Sequence, residues 1–313
     1  MFLGALINMQ YNCLKALDER DCRYVGLLAM DFAKAFDNVS HSILSDELKA
    51  LSLNPYIVKW YLSFLRNRKQ RLVFGSSSYC WYNVNKGTTQ GSVSGPYLFN
   101  LFINDLDLVN CPDASLSKYA DDTTMQVFVS KAGTDRASDV ISQYLSWSGT
   151  NYMPCNLSKC KELVLKKKGQ VNSSPIGNIE QVEFLVLLGV TFQNNGKFTE
   201  HIKRKLSEAN KCLYVLRSLS KEGYNQAKID HLFQSLVLPK ISYGLPVYAA
   251  SVPELNTVQR FLRRCHKRSF ISYAVDIYDL LEKTDKSIPR GLVACLLIRC
   301  RICCTKLKNL TNI

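Results

Sequence analysis

The spacing of apolar and polar positions divides the chain into a mixed first half and a mainly helical remainder. Residues 1–20 carry apolar side chains at helical spacing, and residues 24–30 form a short, nearly all-apolar run that is typical of a buried strand. Residues 31–51 return to helical spacing, and a second helix is predicted over residues 55–65. Because helices and strands alternate without a regular crossover pattern, the sequence predicts an α+β fold rather than a doubly wound sheet.

The same patterns, together with turn-forming residues, predict the elements that follow. The expected elements are a basic turn and strand over 66–74, a loop over 75–78, a helix over 97–106, a helix near 137–147, a strand near 161–165, a linker over 169–177 and a hairpin over 181–192. Beyond this hairpin the chain is predicted to be mainly helical.

Two adjacent acidic residues, Asp121 and Asp122, lie between strand-like runs over residues 116–119 and 125–129. This pattern predicts two strands joined by a tight turn that carries the Asp pair. Adjacent carboxylates repel each other and raise the pKa of one of them, so a cation stabilises such a pair. Hard oxygen ligands favour Mg²⁺ or Mn²⁺. A solvated Asp-Asp turn explains the motif equally well when it is taken alone.

Asp31 follows the apolar run over residues 24–30, which places a carboxylate at the end of a predicted strand. A strand-end carboxylate facing a second pair on a hairpin suits two-metal phosphoryl transfer, in which ions about 3.5–4 Å apart share ligands from different segments. The sequence therefore predicts Asp31, Asp121 and Asp122 as catalytic residues that bind two Mg²⁺ ions, with Mn²⁺ as the alternative ion. Asp37 is interpreted as a first-turn acid that interacts with a helix dipole.

Several motifs occur in a fixed order along the chain. They are DFAKAFDNVSH over 31–41, RNRKQRLVF over 66–74, TTQGSVSGPYLFNLFINDL over 88–106, KYADDTT over 118–124, SKCKE over 158–162 and LLGVTF over 187–192. In this order they resemble the reverse transcriptase of a non-LTR (LINE-type) retrotransposon, and in detail they are similar to the chicken-repeat and jockey-like groups. The resemblance covers roughly residues 1–250, and the ordered set is far more specific than any single motif.

The resemblance implies a right-hand polymerase fold, with a ferredoxin-like palm sheet, partial fingers and a helical thumb. The expected regions are a palm with partial fingers over 1–168, a linker and primer-grip hairpin over 169–196, and a basic helical thumb and C-terminal region over 197–313. The implied reaction adds deoxynucleotides, taken from deoxynucleoside triphosphates, to the 3′ end of a DNA primer by copying an RNA template. Two Mg²⁺ ions are the implied cofactors.

Further site residues are implied by their positions within the motifs. Phe36 is expected to exclude the 2′-hydroxyl of a ribonucleotide, and Gln90 and Gly91 are expected to line the nascent base pair. Lys159 is expected to contact the nucleotide or the pyrophosphate; a core phenylalanine and a surface lysine are the alternative interpretations of Phe36 and Lys159. Thr89 occupies the position where the family has a proline. Primer and template contacts are expected for Arg66, Arg68, Lys69, Arg71, Leu188, Gly189, Lys203, Arg204 and Lys205.

The positive charge of the chain is concentrated in its C-terminal third. The chain has 40 Lys and Arg against 26 Asp and Glu, a formal net charge of +14, and residues 197–313 hold 21 of these basic residues against 9 acidic ones. This asymmetry favours contact with a polyanion, although a solvated helix surface is the preferred interpretation of any single lysine. Contacts to a nucleic-acid backbone give affinity without sequence choice, and salt weakens them steeply.

Composition bounds the remaining possibilities. All apolar runs are shorter than the about 20 residues that a membrane span requires, so no membrane partner is expected, and the first residues lack the pattern of a signal peptide. The 12 cysteines therefore indicate reduced thiols, and the spacing of Cys265, His266, Cys300, Cys303 and Cys304 matches no zinc site. The expected location is the nucleus, as target-primed copying implies, or a cytoplasmic ribonucleoprotein.

Three alternatives stay open beside the polymerase. The upstream part of the fingers, a target-nicking endonuclease and a ribonuclease H are not apparent, so the chain is expected to be N-terminally truncated, and a catalytically inactive remnant that binds nucleic acid is the main alternative. An intron-encoded maturase or telomerase-like enzyme shares the palm but agrees less well around Lys34, Ser92 and Lys159. A simple Asp-based nuclease does not explain the loop at Gln90 or the spacing of Phe36.

Overall fold

The structure, a computed structural model, describes residues 2–167, 175–248 and 252–286. The helices of the first range are α1 (Phe2–Asp18), α2 (Ala35–Asn38), α3 (His41–Ala50), α4 (Pro55–Leu65), α5 (Ser94–Phe102) and α6 (Ala137–Thr150). Its strands are β1 (Cys22–Met30), β2 (Arg68–Gln70), β3 (Val73–Phe74), β4 (Ser77–Ser78), β5 (Tyr82–Val84), β6 (Ala114–Tyr119), β7 (Asp122–Ser130) and β8 (Lys161–Leu165). The later ranges hold β9 (Glu180–Gln181), β10 (Phe184–Leu187), β11 (Val190–Gln193), α7 (Thr199–Lys221), α8 (Gln226–Leu236), α9 (Leu238–Ser242), α10 (Leu245–Tyr248), α11 (Val252–Lys267) and α12 (Ile277–Lys286).

A five-stranded sheet with the order β6-β7-β1-β8-β9 forms the centre of the molecule. The neighbouring pairs are antiparallel, except that β8 and the short β9 are parallel. Helices lie between β1 and β6 and between β7 and β8 along the chain, and β1 occupies the position between β7 and β8. This is the ferredoxin-like arrangement. The prediction of an α+β palm is therefore confirmed.

Both faces of the sheet are covered, which explains why β1 is almost continuously apolar. Successive side chains of a strand point to opposite faces. Val25 and Leu27 belong to a core shared with α1 and the C-terminal helices, whereas Leu28 and Met30 belong to a second core shared with α3, α5 and α6. All four side chains are at most 3% exposed, and burying each contributes roughly 1.5–3 kcal/mol.

The predicted helical stretch over residues 31–51 is wrong at its centre. The chain forms the short helix α2, becomes extended at Val39 and Ser40, and starts again as α3. Ser40 pairs with Lys86 in a β-bridge, and the backbone N–H of Gly87 donates to the Val39 carbonyl at 2.7 Å. These contacts with a distant loop outweigh the local helical pattern, because they satisfy backbone groups that a continuous helix would satisfy internally.

Other boundaries differ by a few residues. Residues 55–65 and 161–165 match α4 and β8, but the predicted loop over 75–78 ends in β4, which pairs with β3. The helix predicted over 97–106 begins three residues earlier, where the Ser92 hydroxyl accepts the backbone N–H of Gly95 at 3.0 Å. Most of the predicted linker over 169–177 lies outside the described residues.

The segment after β9 packs onto the palm through the first core. The hairpin β10–β11 and the helices α7 to α12 contribute buried side chains such as Phe192, Leu216 and Phe233 to the cluster that also contains Leu27 of β1. The predicted boundaries at residues 168 and 196 stay predictions. Among the helices that the structure describes, none is long and apolar enough to cross a membrane.

Candidate active site

The register of the sheet brings the predicted carboxylates to one end of it. Met30, the last residue of β1, pairs with Thr123 of β7. Asp31 follows Met30 and Asp122 precedes Thr123. Because the two strands are antiparallel, Asp31 and Asp122 therefore lie side by side. Tyr119 pairs with Asp122 across the β6–β7 hairpin, which leaves Ala120 and Asp121 as the two-residue turn.

The turn itself holds a residue in an uncommon backbone conformation. Ala120 has φ of 51°, in the left-handed region that non-glycine residues adopt rarely and at a cost. A positive φ at the first central residue matches the twist of a two-residue hairpin turn. The hairpin therefore keeps Asp121 and Asp122 adjacent at its tip, as the sequence predicted.

A second segment crosses the strand end and brings a lysine to Asp31. The Asn156 N–H donates to the Asp31 carbonyl at 2.8 Å, and Phe32 forms a β-bridge with Cys155. The turn that follows places the Lys159 ammonium 3.5 Å from Asp31 Oδ2. The exposed Lys159 side chain therefore faces the acidic cluster.

The electrostatics of this cluster fit a cation. Burial raises the pKa of the Asp122 carboxyl, and the negative charges of Asp121 and then Asp31 raise it further. Asp31 Oδ2 has no hydrogen-bond donor among the described residues, although it is shielded from solvent. Lys159 is the cation placed against Asp31, so the three carboxylates retain excess negative charge. Such hard oxygen donors suit Mg²⁺ or Mn²⁺.

A cavity of about 560 Å³ lies in front of the carboxylates. Asp31, Asp122 and Lys159 line its palm side, and residues 184–189 of the β10–β11 hairpin line the opposite side. Asp121 is exposed in the hairpin turn and is not among the residues that line the cavity. The structure thus brings Asp31 and Asp122, two of the three predicted metal ligands, next to a space large enough for a nucleotide-sized group.

Lys118, the next-to-last residue of β6, ties the β6–β7 hairpin to the segment that follows α5. The sequence did not predict this role. The Lys118 ammonium donates to the carbonyls of Ile103, Asn104 and Leu106 at 2.9, 3.0 and 2.8 Å. These carbonyls follow the end of α5, where helical hydrogen bonding ends; the Ile103 carbonyl also accepts the Leu106 N–H at 3.2 Å. Burial lowers the pKa of the Lys118 ammonium. Because the partners are distant in sequence, the motif alone did not reveal this contact.

Apart from Lys159, the predicted nucleotide-binding residues form a second group in and next to α2. The Gln90 side-chain amide donates to Asp37 Oδ1 at 2.8 Å, so Asp37 has a partner that its interpretation as a first-turn acid missed. Phe36 is half-buried and stacks on Phe99 with ring centroids 4.4 Å apart. Gly91 has φ of +79°, a conformation that favours glycine.

The predicted template contacts on the fingers are divided between packing and solvent. The Arg68 guanidinium lies 5.1 Å above the Phe64 ring and donates to the Thr89 hydroxyl. The Arg71 guanidinium lies 4.7 Å above the ring of Trp81. The two remaining residues, Arg66 and Lys69, are exposed and line a groove.

The predicted primer-grip turn is held in place by the helices that follow it. Leu188 and Gly189 both have positive φ, of 45° and 77°. The Tyr243 hydroxyl donates to the Leu188 carbonyl at 2.7 Å, and Arg204 Nη2 donates to the Gly189 carbonyl at 3.1 Å. Tyr243 was not predicted, and Arg204 contacts protein rather than lying free.

The other two basic residues at the start of α7 also have partners within the protein. Lys203 pairs with Glu200 at 2.5 Å, and Lys205 pairs with Glu208 at 3.5 Å. The Lys205 ammonium also lies 5.4 Å from the centre of the Tyr243 ring. The predicted roles of these residues at a primer or template stay predictions.

Of the cysteines considered for zinc, Cys265 is buried in the C-terminal helices, and burial raises its pKa to about 11. His266 Nδ1 lies 3.2 Å from the Ile271 carbonyl oxygen. Cys300, Cys303 and Cys304 lie outside the described residues. Cys265 thus belongs to helix packing, whereas the exposed His266 contacts the segment that follows α11.

Comparison with known proteins places this geometry in a family. The sequence model of the family described as reverse transcriptase (RNA-dependent DNA polymerase) matches residues 8–192. The chain is 26% identical over 256 residues to a 115 kDa protein in type-1 retrotransposable element R1DM of Drosophila melanogaster, covering 78% of this chain and 24% of that protein. It is 25% identical over 270 residues to the RNA-directed DNA polymerase from mobile element jockey of Drosophila funebris, covering 79% of this chain and 28% of that protein.

Solved structures support the same fold. The structure of telomerase from Candida albicans, in complex with a TWJ fragment of telomeric RNA, superposes with a TM-score of 0.51 at 11% sequence identity. The match covers 89% of this chain and 52% of that chain. The chain spans about a quarter of the length of the two curated relatives described above. With a family match over more than half of its residues, the chain belongs to the reverse transcriptase family, and the two relatives described above come from a retrotransposable element and a mobile element.

Proposed function

We propose that this chain is the RNA-directed DNA polymerase domain of a non-LTR retrotransposon, which adds deoxynucleotides to a primer 3′ end. The observation that carries the proposal is the register that sets Asp31 beside Asp122, with Asp121 adjacent, at one end of the palm sheet. Asp31 and Asp122 line the cavity bounded by the β10–β11 hairpin. Nucleotidyl transfer requires a reacting 3′-hydroxyl and a triphosphate to meet at such a carboxylate cluster.

Enzymes of the reverse transcriptase family use divalent metal ions. We infer that Asp31, Asp121 and Asp122 hold two such ions, with Mg²⁺ as the ion and Mn²⁺ as its substitute, because all three offer hard oxygen ligands. When bound, the ions lower the pKa of the primer 3′-hydroxyl and neutralise the charge on the triphosphate and the leaving pyrophosphate. Lys159, which lies against Asp31, is positioned to contact or protonate that pyrophosphate.

Residues next to α2 select and align the nucleotide in this proposal. Gln90 is oriented by its hydrogen bond to Asp37, and Gly91 allows close approach of the loop backbone to the nascent base pair. The Phe36 ring is braced by Phe99 and keeps a partly exposed edge, which suits steric exclusion of a 2′-hydroxyl. Positioning of this kind accounts for most of the catalysis in phosphoryl transfer.

The proposed partners are an RNA template, a DNA primer and deoxynucleoside triphosphates, and the proposed location is the nucleus or a cytoplasmic ribonucleoprotein. A second candidate is an inactive remnant that binds nucleic acid. The observation that favours it is the charge of residues 197–313, which hold 21 basic residues and 9 acidic ones. That region can bind a polyanion without metal ions.

Primer extension on an RNA template, with Mg²⁺ and deoxynucleotides, tests the proposal. The unmodified chain is compared with Asp121→Asn, which keeps side-chain size but removes the charge. Asp113→Asn is the matched control, because Asp113 is exposed on the same hairpin away from the turn. We expect extension by the unmodified chain and by the control, and a loss of roughly a thousandfold or more in Asp121→Asn, because metal ligation supplies several kcal/mol.

Two outcomes contradict the polymerase. Primer extension by Asp121→Asn at the rate of the unmodified chain would show that the charge of Asp121 is not needed for the reaction. No extension by any of the proteins, with RNA binding retained in all of them, would support the remnant instead.

A further inference from the structure

Two cysteine thiols meet beside the strand end that carries Asp31. The Sγ atoms of Cys155 and Cys160 lie 3.6 Å apart, in a thiol–thiol hydrogen bond. Cys160 is fully buried, and Cys155 is half-buried. The chemistry proposed for the carboxylates makes no use of either thiol.

The backbone fixes the approach of the two thiols from both ends. Cys155 forms a β-bridge with Phe32, just beyond the end of β1. Lys161, the residue after Cys160, pairs with Ala29 of β1. One stretch of chain therefore anchors both cysteines. Because the anchors are backbone hydrogen bonds, the thiols stay neighbours when individual side chains rotate.

A tight turn between the two cysteines brings the second one back beside the first. The Asn156 carbonyl accepts the backbone N–H groups of Lys159 and Cys160 at 3.0 and 3.2 Å. It also accepts the Cys160 thiol at 3.3 Å. The Ser158 hydroxyl donates to the Asn156 side-chain oxygen at 2.7 Å. The turn is thus already ordered, so joining its ends costs little further conformational entropy in the folded chain.

This arrangement of the thiols suits a disulfide. An S–S bond is about 2.05 Å long, so the two sulfur atoms need to approach by roughly 1.5 Å, which side-chain rotation can supply. Two thiols are fewer than the four ligands of a structural zinc site, so the pair alone does not suit zinc. In reducing compartments, disulfides of this kind are mostly transient and respond to oxidants.

We propose that Cys155 and Cys160 form an oxidative modification site, at which hydrogen peroxide converts the two thiols into a reversible disulfide that clamps the turn carrying Lys159. Both S–H bonds break and one S–S bond forms, while the peroxide takes up two protons and two electrons and becomes two molecules of water. The half-buried Cys155 gives peroxide access to the pair. Two molecules of glutathione reverse the reaction by thiol–disulfide exchange and are themselves joined as glutathione disulfide.

The clamped turn forms part of the candidate active site. The Asn156 N–H donates to the Asp31 carbonyl at 2.8 Å, and the Lys159 ammonium lies 3.5 Å from Asp31 Oδ2. Both contacts come from residues 156–159, which the disulfide encloses, so oxidation restricts the segment that contacts Asp31. Disulfide formation requires only the thiols and the backbone that positions them, and it is therefore independent of polymerase activity.

Peptide mass spectrometry of the folded chain, after brief treatment with hydrogen peroxide and blocking of the remaining thiols with iodoacetamide, tests the site. Trypsin cleaves after Lys159, between the two cysteines, so the disulfide would link the peptide 137–159 to the dipeptide 160–161. We expect this linked pair as the main oxidised product, and its separation by dithiothreitol. Cys155→Ser should abolish it, whereas Cys80→Ser, which removes an exposed thiol, should leave it unchanged.

The melting temperature measures the clamp itself. Closing the loop over residues 155–160 removes conformational freedom from the unfolded chain, so the oxidised protein should melt about 3 °C above the reduced protein. Each protein is compared in its own oxidised and reduced forms, so any effect of a substitution on folding cancels. Cys80→Ser should keep the rise, Cys155→Ser should lose it, and dithiothreitol should reverse it.

Three results would overturn the proposal. Full alkylation of both cysteines after peroxide treatment would show an inert, packed pair of thiols. Equal yields of the linked peptides from the folded chain and from the chain unfolded in urea, where 12 cysteines compete, would assign the bond to proximity in sequence rather than to the fold. An oxidised form that melts below the reduced form would show that the disulfide strains the turn instead of clamping it. None of these measurements uses primer extension, so their failure leaves the polymerase proposal unaffected.

Discussion

His201 couples the fold to pH at the junction between the primer-grip hairpin and the thumb. It lies in the first turn of α7, is 0% exposed, and accepts the Thr191 backbone N–H on Nδ1 at 3.2 Å. Its Nε2 has no hydrogen-bond partner within the described chain. Burial, and then the charges of Lys205 and Arg204, lower its pKa to about 3. Protonation therefore opposes the folded state.

The size of the effect follows from the two pKa values. An unfolded histidine titrates near 6.5, so between about pH 3 and 6.5 the unfolded chain binds a proton that the folded chain rejects. The contribution of His201 to stability is complete above pH 6.5 and is lost as the pH falls towards 3. At pH 5 the loss is about 2 kcal/mol, at 1.36 kcal/mol per pH unit. That is a large part of a typical stability of 5–15 kcal/mol.

Urea unfolding at pH 7.5 and pH 5 measures the pH-dependent contribution of His201 to the free energy of unfolding, with His201→Asn as the variant. Asn places an amide oxygen near the position of Nδ1, so it can accept the Thr191 N–H without titrating. The unmodified chain should lose about 2 kcal/mol more than the variant between the two pH values. Other titrating groups, such as Glu47, contribute to both proteins and cancel in the difference.

His231→Gln is the matched control, because it removes a histidine that is exposed on α8 instead of a buried one. Equal losses in the unmodified chain and in His201→Asn would refute the reasoning, since His201 would then titrate alike in both states.

Three further substitutions have outcomes that the structure determines. Lys118→Met leaves three carbonyls without their charged donor and should lower the free energy of unfolding by about 2 kcal/mol in urea titrations. Gly189→Ala adds a Cβ 3.0 Å from the Tyr243 ring at a positive φ, so its melting temperature should fall further than that of Gly196→Ala, where φ is also positive but the space is open. Burial raises the pKa of Glu47 to about 7, so the contribution of Glu47 to stability should decline as the pH rises from 4.5 through 7, and the stability of Glu47→Gln relative to the unmodified chain should rise over that range.

Local patterns predicted the strands and the Asp turn well, because each depends on neighbouring residues. The apolar run before Asp31 is buried on both faces, and the residues around Asp121 and Asp122 form the expected hairpin. The adjacency of Asp31 to Asp122, by contrast, depends on sheet register, which the spacing of residues along the chain does not specify without a partner strand. That expectation came from the chemistry of two-metal phosphoryl transfer, which needs carboxylates from different segments at one site, and from the ordered motifs of the family.

Contacts between segments that are distant along the chain could not be predicted from the sequence. Asp37 holds Gln90 across 53 residues, and Lys118 binds carbonyls 12 to 15 residues away through a bend that periodicity does not encode. The helix predicted through Val39 fails because a β-bridge from a later loop captures Ser40. In each case tertiary hydrogen bonds override or complete a local preference.

The most direct test of the carboxylate site is thermal unfolding during titration with Mg²⁺ and Mn²⁺. Ions that bind the folded chain stabilise it by mass action, about 2.7 kcal/mol at a concentration one hundred times the dissociation constant. We predict this rise for the unmodified chain and for Asp113→Asn, and its loss in Asp122→Asn. Without ions, Asp122→Asn should melt higher than the unmodified chain, because it relieves repulsion from Asp121 and Asp31. Equal ion-dependent stabilisation of all three proteins, or a lower melting temperature for metal-free Asp122→Asn, would contradict a metal site built from these carboxylates.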